Sequence, residues 1–73
     1  MEKTKYIMYT KENCPYCNQA KGLLEYYGAE YELKYEKSQD WETYPCIYRS
    51  TDSGLQLIGG FLELANYSFL HGL

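Results

Sequence analysis

The first half of the chain changes its hydrophobic period twice. Lys5 to Thr10 is a run of β-branched and aromatic residues without polar alternation, which predicts a strand buried on both faces. From Cys14 to Tyr27 small and apolar residues recur at helical spacing, with Pro15 suited to the first helical position and Gly28 to a C-terminal cap. Glu30 to Glu36 alternates with period two and predicts an edge strand with one charged face.

The second half predicts a hairpin followed by a helix. The polar segment 37–43, in which Trp41 is the one large apolar residue, is short and predicts a single short helix or a loop. Segments 45–49 and 54–58 predict two strands, because a cluster of turn-forming residues joins them. After two glycines, apolar residues return at helical spacing from 61 to 69, which predicts a closing helix.

This order of elements predicts an α/β, thioredoxin-like fold. A strand, a crossover helix and a second strand form a parallel pair, and the hairpin adds antiparallel strands beside it. The expected result is a four-stranded mixed sheet flanked by helices, with a shortened middle helix. A chain of 73 residues has room for one domain, so residues 1–73 are expected to form a single unit.

Charge and composition exclude several classes of partner. Seven basic residues against ten acidic ones give a net charge of −3 without a basic stripe, so nucleic acid is not an expected partner. The apolar runs are too short for a membrane span, and no signal peptide is evident at the start. The expected location is therefore the cytoplasm, with no membrane association.

The chemistry is concentrated at Cys14 and Cys17. Cys14 lies where the first strand has ended and the helix begins, so free backbone N–H groups and the helix dipole favour its thiolate. Lys11 is the nearest candidate cation. Cys17 is one helical turn deeper, which suits a pair in which Cys14 attacks a disulfide and Cys17 displaces the reduced product.

A zinc site is the main alternative for this pair. Four ligands would require Cys46 and His71, which are predicted in a strand and in the last helix, so the usual closely spaced second pair of ligands is absent. We therefore expect no metal. Cys46 is interpreted as a small strand residue, with a redox-active thiol as the alternative.

Three blocks of sequence together resemble the dithiol glutaredoxins. They are Tyr-Thr-Lys-Glu-Asn-Cys-Pro-Tyr-Cys at 9–17, Thr-Tyr-Pro at 43–45 and Ile-Gly-Gly-Phe-Leu-Glu-Leu at 58–64. The chain looks most like the compact forms encoded by phages and viruses. The resemblance implies a glutathione-dependent thiol–disulfide oxidoreductase with Cys14 as nucleophile and Cys17 as second cysteine.

The resemblance also implies a glutathione site opposite a cis-proline. It further implies that the client proteins carry disulfides, with ribonucleotide reductase as a candidate among them. The protein is expected to be a monomer and not a dimer. Two rivals stay open: a redoxin reduced by thioredoxin reductase, and an iron–sulfur or zinc-binding module. The implied glutathione-binding residues are Lys11, Tyr16, Thr43, Tyr44, Pro45, Gly60, Phe61, Leu62 and Glu63.

Two departures from the family pattern bear on this site. Leu62 stands where the family generally carries a polar residue, and Glu63 is one methylene longer than the commoner Asp. Both changes predict a weaker affinity for glutathione. For Glu63 a helix-dipole role is the alternative to ligand binding, and for Lys11 the alternative is a solvated charge.

Overall fold

A computed structural model describes residues 4–36 and 44–73 of the protein. The predicted segment 37–43 lies outside the described residues. All six predicted strands and helices are present, with ends close to those expected, and no described helix is long and apolar enough to cross a bilayer. The elements are β1 (Lys5–Tyr9), α1 (Pro15–Tyr26), β2 (Glu30–Lys34), β3 (Cys46–Thr51), β4 (Gly54–Gly59) and α2 (Phe61–His71).

The four strands form one mixed sheet in the order β2-β1-β3-β4. β1 and β2 are parallel, and the β1–β3 and β3–β4 pairs are antiparallel. The thioredoxin-like α/β arrangement is therefore confirmed, with β2 at an edge as predicted. Because β1 and β4 run in the same direction, α1 and α2, which follow them, begin at the same end of the sheet.

Both described helices pack on one face of the sheet. Tyr6 and Met8 of β1 and Ile47 of β3 are buried there against Leu24 of α1 and Leu64 of α2. The prediction that β1 is buried on both faces is wrong, since the alternate residues of this strand are only half-buried. The run of apolar residues in β1 does not require helices on both sides.

The edge strand β2 carries the predicted charged face. Glu32 lies between Lys5 and Lys34, with an N–O distance of 3.5 Å to each. The charge of Lys5, and to a smaller extent that of Lys34, lowers the pKa of the Glu32 carboxyl below its usual value. All three side chains are partly exposed, so these ion pairs contribute little to folding and mainly keep this edge polar.

Candidate active site

The start of α1 is built by a short loop after β1. The Thr10 N–H donates to the Lys34 carbonyl at 2.8 Å, which continues the β1–β2 pairing to the end of the strand. Asn13 then takes a left-handed conformation with φ of 58°, which asparagine tolerates better than most residues. The chain consequently enters the helix at Cys14, which is the N-cap, with Pro15 in the first turn as predicted.

Cys14 and Cys17 are joined by a disulfide bond across the first turn of α1. Their Cα atoms are 5.2 Å apart, and the Cys17 N–H donates to Cys14 Sγ at 3.2 Å. The sulfur of Cys14 therefore satisfies one of the backbone donors that a helix start leaves unpaired. In the reduced protein the same donor would stabilise the thiolate of Cys14, because hydrogen bonds to an ionised acceptor are the stronger ones.

Both cysteines of the disulfide are buried. Cys14 is 6% exposed and Cys17 is 2% exposed. Cys14 is the more exposed of the two, in keeping with the deeper position predicted for Cys17, but little of either residue faces solvent.

A groove lies between the start of α1 and the start of α2. Its volume is about 310 Å³, and two of its lining residues, Tyr16 and Phe61, contact each other with ring centroids 6.1 Å apart. The Tyr44–Pro45 bond beside it is cis, as the family resemblance implied. The residues that line the groove are Tyr16, Tyr44, Pro45, Gly60, Phe61, Leu62 and Glu63.

The structure thus brings together most of the residues named from the resemblance. All seven lining residues belong to the predicted glutathione set, although they come from three separate parts of the sequence. Lys11 lies at one side, where its Nζ is 5.3 Å from the centroid of the Tyr44 ring. Thr43 lies outside the described residues.

The start of α2 supplies backbone donors to the groove. Phe61 and Leu62 are the first two residues of the helix, so their N–H groups have no acceptor within it. Glu63 caps the helix, since the Gly60 N–H donates to its Oε1 at 2.9 Å. Glu63 thus makes a capping hydrogen bond at the helix start, and its predicted contact with glutathione stays a prediction.

Comparison with known proteins agrees with this geometry. Residues 6–35, less than half of the chain, match the family model described as Glutaredoxin. The resemblance to the glutaredoxins is confirmed. No curated protein and no solved structure matches the chain. The glutaredoxin match includes Cys14 and Cys17, and with their geometry it supports thiol–disulfide oxidoreductase activity.

A second cavity beside the Cys14–Cys17 pair was missed by the sequence analysis. It measures about 270 Å³ and lies against Cys17, with Lys11, Asn18, Lys21 and Tyr35 among its lining residues. Helical spacing places Lys21 one turn after Cys17, which is the only sequence signal that relates the two. The cavity therefore places polar side chains beside Cys17. The groove described above lies against Tyr16 instead.

The remaining cysteine takes no part in the disulfide. Cys46 is a buried free thiol at the first position of β3, directly after the cis-proline, so the prediction of a strand residue is confirmed. Among the described residues no three His, Cys, Asp or Glu side chains are grouped as metal ligands. His71 is in the last turn of α2, where its ring lies 4.9 Å from that of Tyr67.

Proposed function

We propose that the protein reduces protein disulfides and glutathione mixed disulfides with electrons from glutathione. The observation that supports this most directly is the Cys14–Cys17 pair at the helix start, with the Cys17 N–H donated to Cys14 Sγ. In the reduced protein the same hydrogen bond would favour the thiolate of Cys14, which is the form that attacks a disulfide. The groove beside it supplies a binding surface for the substrate or reductant.

The reduction proceeds by two thiol–disulfide exchanges. The Cys14 thiolate attacks one sulfur of the client disulfide, forms a mixed disulfide and releases the other client sulfur as a thiolate. The Cys17 thiol loses its proton to solvent and attacks Cys14 Sγ, which forms the Cys14–Cys17 disulfide and releases the second client thiolate. The client gains two electrons, and the protein loses them.

Two glutathione molecules return those electrons. The first glutathione thiolate attacks Cys14 Sγ and releases Cys17 as a thiolate, which takes up a proton. The second attacks the sulfur of the bound glutathione, so that glutathione disulfide leaves and the Cys14 thiolate is restored. No metal takes part in either half of the cycle.

Glutathione is proposed to lie in the groove as a short extended peptide. Its cysteinyl part pairs with the main chain of Tyr44 before Pro45, and Lys11 and Tyr16 lie toward its glycyl end. The N–H groups of Phe61 and Leu62 suit the γ-glutamyl carboxylate. Glu63, Gly60 and Thr43 complete the proposed contacts.

The test is the reduction of a glutathionylated small disulfide, coupled to the consumption of glutathione. The wild-type protein should turn over, and Cys14→Ser should lose all of its activity, because the serine hydroxyl can still cap α1 but cannot form the mixed disulfide. Cys46→Ser is the matched control and should keep its activity, since that thiol is not joined to the pair. An undiminished rate in Cys14→Ser would refute the proposal.

Supplying each reductant separately tests the glutathione dependence. Glutathione should sustain turnover, whereas thioredoxin reductase with NADPH should not. The reverse result would identify the rival redoxin. We further propose a cytoplasmic monomer whose clients include ribonucleotide reductase, and reduction of that enzyme's disulfide is the corresponding assay.

A further inference from the structure

We propose that the groove selects clients with an apolar residue directly before the reacting cysteine, and that Leu62 determines this specificity. The inference rests on the proposed function, because the client cysteine has to be held at Cys14 for its neighbour to contact the groove. It goes further by naming the class of client peptide and the side chain that distinguishes it.

The first observation is the exposed apolar surface on both sides of the groove. Leu62 is 68% exposed and Tyr16 is 58% exposed, although each lies at the first turn of a helix that also contributes to the core. An apolar client side chain that covers these two residues removes their surface from water, and this burial favours binding. A polar side chain in the same place gains much less.

The second observation is the charge of the groove. Glu63 is its one charged lining residue among the described parts of the chain, and Glu63 Oε1 already accepts the Gly60 N–H. Lys11 lies outside the lining, against the ring of Tyr44. Apart from the N–H groups that start α2, the described lining therefore offers no group that favours an acidic client residue, whereas Leu62 and Tyr16 favour an apolar one.

The direction of the client chain identifies the residue that is selected. In the proposed glutathione arrangement, the part that precedes the cysteine lies at the start of α2. A client peptide bound in the same direction places the residue before its cysteine beside Leu62. The occupant is thus the short extended segment of a client that ends at the reacting cysteine.

The test compares two peptides that differ only before the cysteine. Each is supplied as its symmetrical disulfide, one with Leu-Cys and the other with Ser-Cys, and kcat/KM is measured at saturating glutathione. For the wild-type protein we expect about a tenfold preference for the Leu-Cys peptide, at the low end of what an extra apolar group gains in a binding pocket.

The variants assign this preference to Leu62. Leu62→Ser and Leu62→Thr should reduce the ratio between the two peptides to about twofold or less, since each removes apolar surface from the groove. Leu70→Ser is the matched control, because Leu70 is 71% exposed on the same helix and does not line the groove. The control should keep the wild-type ratio.

Failure of the inference can be separated from failure of the proposed function. Equal rates for the two peptides, or an unchanged ratio in both Leu62 variants, would overturn the selectivity while the oxidoreductase activity stands. A protein that reduces neither peptide nor the glutathionylated small disulfide would overturn both.

Discussion

At the residue level, Lys11, in the loop before the dithiol, lies against an aromatic ring. Lys11 Nζ lies 5.3 Å from the centroid of the Tyr44 ring, whereas the ion pairs between described residues involve Lys5 and Lys34. A cation–π contact at an exposed site contributes about 0.5–1 kcal/mol and leaves the ammonium charge unneutralised. Lys11 therefore remains able to attract an anion at the edge of the groove.

Replacing Lys11 should weaken the use of glutathione. Lys11→Gln is expected to raise the KM for glutathione about two- to fivefold, which is the range of an exposed charge interaction. Steady-state kinetics at low ionic strength measures the effect, and added salt should diminish it in the wild-type protein.

Lys21→Gln is the matched control for this change. It removes the same charge from the second cavity, which both lysines line, but only Lys11 contacts the ring of Tyr44 beside the groove. An equal rise in KM for both variants would mean that glutathione responds to net charge and not to Lys11.

The sequence allowed the dithiol to be predicted, but not the contacts that surround it. Spacing alone places Cys17 one turn from Cys14, and a helix start follows from Pro15. The contact of Lys11 with Tyr44 joins two loops that are distant in the chain, so it depends on how β1 and β3 pair. The hydrogen bond from Gly60 to Glu63 was foreseen only as a general preference for an acidic residue in the first turn.

At the level of elements, the junction between β4 and α2 leaves no room for a side chain at Gly59. Gly59 has a φ of 123°, and a Cβ atom added there would lie 2.8 Å from Cγ of Glu63. Both features require glycine, because other residues rarely adopt this backbone conformation. The same close approach holds the Glu63 carboxylate near the Gly60 N–H.

Alanine substitutions at two glycines should have opposite effects on the free energy of unfolding. Gly59→Ala should lower it by about 1–3 kcal/mol, because it forces an unfavourable φ and a contact with Glu63. Gly22→Ala, inside α1 with no atom within 4 Å of the added Cβ, should raise it by about 0.5–1 kcal/mol through helix propensity.

Urea unfolding of the two variants beside the wild type measures both changes. A Gly59→Ala protein as stable as the wild type would show that the junction moves to accept a side chain. A Gly22→Ala protein that is destabilised would contradict the open surroundings of that position.

The periodicity of the sequence predicted the elements well and their burial less well. Strand and helix periods differ, so β2 and α1 could be recognised from alternation and from helical spacing. The burial of the second face of β1 could not be predicted in this way. An apolar run shows that both faces of a strand can be covered, but it does not show which helices cover them. In the structure α1 and α2 share one face, which leaves Ile7 and Tyr9 half-buried.

At the level of the whole molecule, Tyr6 connects three elements at the end opposite the groove. Its buried side chain lies in β1 and interacts with Arg49 of β3 and Tyr67 of α2. Burial, followed by Tyr67, raises the pKa of Tyr6 above its usual 10.0, and Arg49 opposes part of this change. The phenol is therefore held protonated more firmly in the folded chain than in the unfolded one.

This difference predicts a loss of stability in alkali. Because the pKa of Tyr6 is raised by folding, its contribution is complete below pH about 10 and is lost as the pH rises through the raised value. The free energy of unfolding, measured with urea between about pH 8 and 11 where a phenol titrates, should decline as the pH rises. Tyr6→Phe should flatten it.

Tyr26→Phe is the control for the alkaline titration. Tyr26 is 81% exposed in α1, so its replacement should leave the slope of stability against pH as in the wild type. An equal slope in Tyr6→Phe and in the wild type would assign the alkaline loss to other groups.

The topology explains why the site could be anticipated from three separate segments. The parallel direction of β1 and β4 brings the starts of α1 and α2 to one end of the sheet, and the order of elements already implied this arrangement. The burial of the dithiol could not be anticipated, because it depends on the packing around the start of α1 and not on the spacing of the two cysteines.

The slight exposure of Cys14 in the oxidised protein restricts the shape of any thiol that attacks its disulfide. A sulfur that is mostly covered is approached along a narrow line, so a thiol fixed in a flat, rigid surface would collide with the rim before the sulfurs met. Under the proposed function, the thiol of a small, flexible peptide such as glutathione meets this requirement. Steric access thus favours a small reductant before any affinity does.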